Sequence, residues 1–241
     1  MALFKNIAQI ENPARWLAWY LGGTIAATGH DTFDNITTIG DRAFYKYNGL
    51  KRVVMPNTIT TIGVSAFNTC TALTEVRWST NITSIGATCF TQCSSLTLDG
   101  LPTALTTLDN YAFQGVKGLL VSEWPSGLTT VNKYALSVIT DLEITTLPSG
   151  LTAIPEGLCW KSTGLKEITI HSAVTSVGSA AFKLCTDLTK VTFQGTPTSI
   201  ESNAFASDTV LTDIYVPWSE GAVANTPWGA TSATIHYDST V

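Results

Sequence analysis

The side chains that most often carry chemistry are scarce and scattered in this chain. Three histidines, His30, His171 and His236, fall in different parts of it, and no Ser-His-Asp grouping is visible. Five cysteines, Cys70, Cys89, Cys93, Cys159 and Cys185, are an odd number, which argues against a simple disulfide framework. Cys89 and Cys93 have a C-x₃-C spacing without companion ligands, so no zinc site is expected. No phosphate loop or dinucleotide fingerprint appears, so no cofactor is predicted. Asn35-Ile36-Thr37 and Asn81-Ile82-Thr83 are glycosylation sequons, which matter only in a eukaryotic secretory pathway. These residues predict a protein that is not an enzyme.

Three of the cysteines instead share a position in an internal repeat. Phe44, Phe67, Phe90 and Phe113 lie 23 residues apart, and the series continues through Leu136, Cys159, Phe182 and Phe205. Six residues after each comes a leucine, from Leu50 and Leu73 to Leu188 and Leu211. Five residues before each lies Ile39, Ile62, Ile85, Leu108, Val131, Ile154, Val177 or Ile200. The residue just before the Phe slot is small everywhere except at Leu158. One coil reads I-T-T-I-G-x-x-A-F-x-x-C-x-x-L-x-x-V-x-M/W-P, without insertion from Ile36 to Pro217. Such a unit cannot bury its apolar face alone, so eight coils must stack in register.

The elements follow from the periodicity inside one coil. Val53 and Met55, like Ile168 and Ile170, alternate with polar residues, which predicts a rung of a parallel sheet. The β-branched I-T-T-I stretch predicts a second short strand. Gly40, Gly63, Gly86 and Gly178 suggest a turn needing unusual φ, which Asp109 and Asn132 tolerate and Pro155 does not. The A-F-x-x-C stretch is expected to make one helical or 3₁₀ turn. Eight rungs at ~4.8 Å give a rod of roughly 40 Å. Cys70, Cys93 and Cys185 share their slot with Val116 and Ile139, which marks a packing position and predicts free, buried thiols.

Composition excludes several classes. Hydrophobic residues make up 44% of the 241, which rules out a disordered chain. Charged residues make up only 13%, so Thr and Ser must keep the surface wet. A net charge of −5 without a Lys/Arg cluster argues against nucleic-acid binding. No run approaches the ~18 apolar residues of a membrane span. The apolar stretch 16–27 is preceded by Glu11 and Pro13, so no export signal is expected. Thr pairs such as Thr37-Thr38, Thr60-Thr61 and Thr106-Thr107 become ladders in a stack. Ice binding is a remote alternative, because adjacent residues of a regular strand face opposite ways.

The ends depart from the repeat, dividing the chain into 1–35, 36–217 and 218–241. Asn12-Pro13 starts a short helix well and Gly22-Gly23 stops it. Phe4, Ile7, Trp16, Leu17, Trp19 and Tyr20 give this segment surplus apolar surface. It is expected to cap the first coil, or to dock into an assembly or a second copy. At the other end Ser219 is placed to N-cap a short helix, Trp218 and Trp228 to cover the last coil, and Ala233–Tyr237 to form a strand. Residues flanking the rungs form a candidate binding face: Lys51, Arg52, Glu75, Arg77, Glu123, Glu143, Lys166, Glu167, Lys190 and Tyr215. Its charge is mixed, and it lacks an aromatic platform for sugars or bases.

Over residues 36–217 the repeat string resembles the BspA-like leucine-rich-repeat family. The tail at 216–237 looks like the closing segment of such proteins from gut Firmicutes and their prophages. The resemblance implies a right-handed leucine-rich-repeat solenoid. It also implies a surface adhesin or a phage-encoded structural protein. Secreted members carry a signal peptide and often wall-binding modules, and neither is read here. The expectation is therefore a non-catalytic display protein of a phage particle (virion surface, tail-fibre or decoration-like), assembled in the bacterial cytoplasm. It would attach through its N-terminus to other virion proteins and present the solenoid to a host receptor or glycan. An exported bacterial surface adhesin is the alternative.

Overall fold

Short parallel strands carry the repeat, and there is no helix among the described residues. The computed structural model describes residues 37–239 and a short strand at 24–26. The expected N-terminal helix and the candidates Phe4, Ile7, Trp16, Leu17, Trp19 and Tyr20 lie outside that range, as does His30.

The strands run β1 (Thr24–Ala26), β2 (Thr38–Ile39), β3 (Arg52–Val54), β4 (Thr61–Ile62), β5 (Glu75–Arg77) and β6 (Ser84–Ile85). They continue as β7 (Thr97–Leu98), β8 (Thr107–Leu108), β9 (Gly118–Leu119), β10 (Thr130–Val131), β11 (Asp141–Leu142) and β12 (Ala153–Ile154). The last are β13 (Glu167–Ile170), β14 (Ser176–Val177), β15 (Lys190–Phe193), β16 (Ser199–Ile200), β17 (Asp213–Tyr215) and β18 (Thr234–His236). From β2 to β17, even-numbered strands are the I-T-T-I segments and odd-numbered strands are the rungs. All pairings are parallel, and most join residues 23 apart, such as Ile62 with Ile85 and Ile168 with Val191. The eight coils read from the repeat gain a part-turn at each end, because β1 pairs with β3 and β18 pairs with β17, making about nine turns. The repeat architecture thus begins before residue 36, inside the segment expected to be a separate cap.

Stacking turns each repeat slot into a column. Phe67, Phe90, Phe113, Phe182 and Phe205 are fully buried, and so are the eight leucines six residues after each slot. Neighbouring Phe rings stack at 5.0 Å between Phe44 and Phe67, 5.0 Å between Phe67 and Phe90, and 5.3 Å between Phe182 and Phe205. Burial of these columns is the main force holding coil to coil.

The A-F-x-x-C stretch is not a helical turn. In the second coil Ala66, Asn68 and Cys70 donate their N–H groups three residues back, to Gly63, Ser65 and Phe67. Ser65, Phe67 and Thr69, between them, donate to Ala87, Cys89 and Thr91 of the next coil. A helix would keep all these bonds local. The alternation requires a left-handed residue on each side of the Phe slot, Ser65 (φ 56°) and Thr69 (φ 61°) in this coil. Arg42, Tyr134 and Val138 take the same conformation at equivalent places, although only Gly adopts it without strain. The inter-coil bonds hold it, as Val138 N–H does at 2.8 Å to Trp160.

The glycines expected to relieve φ do something else. Gly63, Gly86 and Gly178 have ordinary φ. A Cβ on Gly86 would sit 2.8 Å from the Gly63 carbonyl carbon. At Gly86 consecutive coils touch through backbone, whereas Asp109, Asn132 and Pro155 stand at the same place in other coils, Pro155 fitting because its φ is negative.

The rungs are not one sheet. In the third to fifth coils the buried residue falls one position early. Leu98, Val121 and Ile144 are buried, and Asp99, Ser122 and Thr145 are exposed. A one-residue shift exchanges the two faces of a strand. The rungs therefore form three sheets, β1-β3-β5, β7-β9-β11 and β13-β15-β17-β18.

At the C-terminus Trp228 is fully buried and Trp218 nearly so, packed around Phe193 at 6.3 and 5.3 Å. Ser219 caps no helix. Its hydroxyl donates to the Asp238 carboxylate at 2.9 Å, tying the tail down instead.

All five cysteines are free and buried. The shared slot also has a polar role. Cys70 donates its thiol proton to the Phe44 carbonyl, Cys93 to that of Phe67 and Cys185 to that of Cys159, each at 3.1 Å and 26 residues back. Ser162, in the same slot, donates to the Leu136 carbonyl at 2.7 Å. Burial pushes the Cys70 thiol up to about 12 and raises the other four as well. A thiolate-selective reagent at pH 8 is expected to find no fast-reacting thiol in the native protein and all five after denaturation. Phe90→Ala should destabilise the stack by ~3–5 kcal/mol, read by chemical denaturation, because it leaves a void between the Phe67 and Phe113 rings.

Candidate functional site

Six of the ten named face residues gather at its two ends. On the first sheet, β3 sets Arg52 beside Glu75 of β5, in register. Arg52 Nε lies 3.1 Å from Glu75 Oε2, and Arg77 Nε donates to Glu75 Oε1 at 2.8 Å. One carboxylate thus hydrogen-bonds Arg77 and pairs by charge alone with Arg52, with exposed Lys51 beside them. Pairs this exposed contribute little stability. They do fix the orientation of two planar, always-charged donors that could take up an acidic partner.

On the last sheet, Lys190, Asp213 and Thr234 form one outward column, and Thr192, Tyr215 and His236 form the next. The Tyr215 ring stacks on His236 at 4.3 Å, and Lys190 Nζ lies 5.5 Å from the Tyr215 ring centre. His236 Nε2 meets Asp213 Oδ1 at 2.7 Å, and Thr212 donates to Asp213 Oδ2 at 2.8 Å. Those two contacts hold the Asp213 carboxyl below its ordinary range, with His236 the larger cause. Glu123, Glu143, Lys166 and Glu167 are exposed between the two clusters.

The His236–Asp213 pair has the first two members of a hydrolytic relay but not the third. The neighbouring hydroxyl, Thr212, donates to the carboxylate and not to the imidazole. Among the described residues no three His, Cys, Asp or Glu side chains are grouped to hold a metal ion. No described helix is long and apolar enough to cross a membrane.

A second network lies on the turn side, which sequence reasoning did not single out. Tyr111 and Tyr134 stack at 5.1 Å, and Trp160 meets Tyr134 edge-on at 6.1 Å. Glu156 accepts from Tyr134 at 3.0 Å and from Lys133 at 2.9 Å. The Lys133 and Tyr134 hydrogen bonds lower the Glu156 carboxyl, and Glu156 raises the Lys133 ammonium. The available signal was the 23-residue spacing of Tyr111, Tyr134 and Gly157. A Cβ on Gly157 would fall 2.0 Å from the Tyr134 ring, so that ring lies over a bare backbone. With Tyr111 on one side and Gly157 on the other, Tyr134 has no free face for a sugar ring to stack on.

The Thr series from Thr37 through Thr60, Thr83, Thr106, Thr129, Thr152 and Thr175 to Thr198 is exposed throughout. Both members of a pair can face solvent, as Thr129 and Thr130 do, because the strands are only two residues long and the chain bends there. The expectation that adjacent residues must face apart fails for that reason. Thr60, Thr106, Thr175 and Thr198 donate their hydroxyls to the carbonyl of the preceding coil's Thr at 2.9–3.2 Å. Those protons cap the ladder and are not offered to ordered water.

Comparison with known proteins agrees with this architecture. The family model described as BspA type leucine rich repeat region matches residues 27–135 and 108–225 in six copies. No curated protein matches the chain. A leucine-rich repeat protein from Bacteroides ovatus is 18% identical, with a TM-score of 0.51 over 89% of this chain and 68% of that one. A leucine rich cell surface protein from Faecalibacterium prausnitzii is 19% identical, with a TM-score of 0.36 over 90% and 87%. The pneumococcal vaccine antigen PcpA is 16% identical, with a TM-score of 0.36 over 85% and 72%. At 18% identity the likeness to the Bacteroides ovatus protein is one of fold. With the family model spanning most of its length, this chain belongs to the BspA-type leucine-rich-repeat family.

Proposed function

We propose that this chain is a non-catalytic binding protein displayed at a bacterial surface, with the rung side as its contact face. Family membership along 27–225 carries the reading, since leucine-rich-repeat stacks are binding scaffolds. Transfer from a fold is an analogy, so the contact face rests on its own residues. Arg52 and Arg77 around Glu75, and Lys190 with Tyr215, are oriented polar groups on a rigid sheet. They suit a protein partner with acidic side chains better than a glycan, because Tyr215 already has His236 on one face.

The phage-particle placement finds no support in the family or in the similar structures. It rested on the family resemblance, the free cysteines and residues 1–35, and attachment through Phe4, Trp16 or Tyr20 stays a proposal carried by their apolar surplus alone. Antibody labelling of intact source bacteria and of particles purified from them separates the placements. Label on the cells is expected. Label confined to particles would restore the phage reading, and label in neither would end both.

The contact face has its own test. Beads coated with the full chain are expected to adhere to cultured epithelial cells. Arg52→Glu with Arg77→Glu should lower adhesion at least about tenfold, equivalent to roughly 1.4 kcal/mol. Lys133→Glu on the turn side should leave it unchanged. Equal loss in both variants would reject the rung side as the contact face.

A further inference from the structure

The cysteine slot ends on an ionisable residue. Counting by 23, the slot holds Tyr47, Cys70, Cys93, Val116, Ile139, Ser162, Cys185 and Asp208. Asp208 is only 3% exposed. Its Oδ1 accepts the Cys185 N–H at 2.8 Å, as the Ser162 hydroxyl accepts the Ile139 N–H at 3.1 Å. Ser162 completes the pattern by donating its proton 26 residues back, to the Leu136 carbonyl. Cys70, Cys93 and Cys185 donate along the same step. Applied to Asp208, that step leads to the Phe182 carbonyl. The other oxygen, Oδ2, is buried and receives no hydrogen bond. An ionised carboxylate has no proton to give, and its Oδ2 beside a carbonyl column would be left unsatisfied.

Among the described residues no counter-charge pairs with Asp208. Lys183 and Lys190 are the last Lys or Arg residues in the chain, and neither pairs with Asp208. Residues 223–235, which close over the eighth coil, contain no ionisable side chain. The ionisable groups of the seventh coil on this side are Lys183, which makes no pair with Asp208, the Cys185 thiol, kept neutral by burial, and the Asp187 carboxylate, which carries no positive charge to offer. His236 is engaged with Asp213 on the rung face.

We propose that Asp208 is held as a neutral carboxylic acid in the cysteine slot, and that its ionisation at alkaline pH loosens the last coil and the C-terminal segment while the earlier coils stay closed. The same burial pushes its pKa up to about 8 from an ordinary 3.8. The folded coil then holds a proton that the unfolded chain has lost. Stability from this group is full below the unfolded value, falls as pH rises, and levels off above about 8. A solenoid confines the effect, because each coil contacts only its neighbours. The last coil carries β17 and β18, and with them Asp213, Tyr215 and His236 of the rung face.

Two measurements on the full chain test this. Carbon-13 NMR of the aspartate carboxyls should show one group titrating near pH 8, absent from Asp208→Asn. If no aspartate carboxyl titrates above pH 6, the proposal is overturned. Hydrogen exchange, corrected for its intrinsic pH dependence, should show opening of residues 211–237 rising by up to about tenfold per pH unit between pH 5 and 8. The rungs β3 and β5 should show no such rise. Asp208→Asn, which keeps one acceptor and one donor, should flatten the profile, and Asp208→Ser should do so with the slot's own residue. Equal slopes in wild type and both variants, or equal opening at both ends of the stack, would reject the mechanism.

Discussion

The whole structure depends on one spacing: residue n must sit over residue n + 23. Backbone N–H groups enforce it on both sides of the coil. On the strand side they make parallel ladders, and on the turn side every second N–H reaches the next coil. An unmet backbone donor in such a core is costly, so the register tolerates no insertion that does not leave as a loop. Side chains are therefore selected by column more than by coil. Phe stacks on Phe, Leu on Leu, and one slot is shared by three thiols and a hydroxyl because each donates to the same backbone carbonyl position.

The columns were legible because they depend only on the period. The repeat, the buried leucines, the free thiols and the closing strand near residue 235 follow from counting. Conformation within a coil was harder to read. A single helical turn and a pair of turns with left-handed residues both place Ala66, Phe67 and Cys70 inward, and Ser65 and Thr69 are types common in either. The glycines misled for a related reason. Gly86 looks like a φ device, yet its smallness serves contact with the Gly63 backbone. The rung shift is visible only in hindsight, in Leu98, Val121 and Ile144 standing one place before the Val of other coils.

The candidate site was half legible. The flanking positions named Arg52, Glu75, Arg77, Lys190 and Tyr215, and the structure joins them into two clusters. His236 was set aside as isolated, although it lies 23 residues after Asp213 and its ring meets that carboxylate. Tyr111 and Tyr134 show the same arithmetic on the other side of the coil. Sequence distance misjudges proximity in a stack, where one period is a single step along the axis.

The direction of the turn-side bonds has an electrical result. Arg42 donates to Val64, Ser65 to Ala87, Thr88 to Asn110, and so on to Phe205 and Trp228, always towards the C-terminal end. Strand ladders largely cancel their peptide dipoles, but this column adds them, as a helix does. The turn side of the rod thus carries a line of aligned dipoles, negative towards the first coil and positive towards the last. Exposed Arg42 and Lys46 stand at the negative pole. Exposed Glu201 stands near the positive one, in a stretch with no Lys or Arg after Lys190. Two of the three turn-side charges of the first coil thus stand where the backbone dipoles attract them, and the third, Asp41, accepts the Val64 N–H instead.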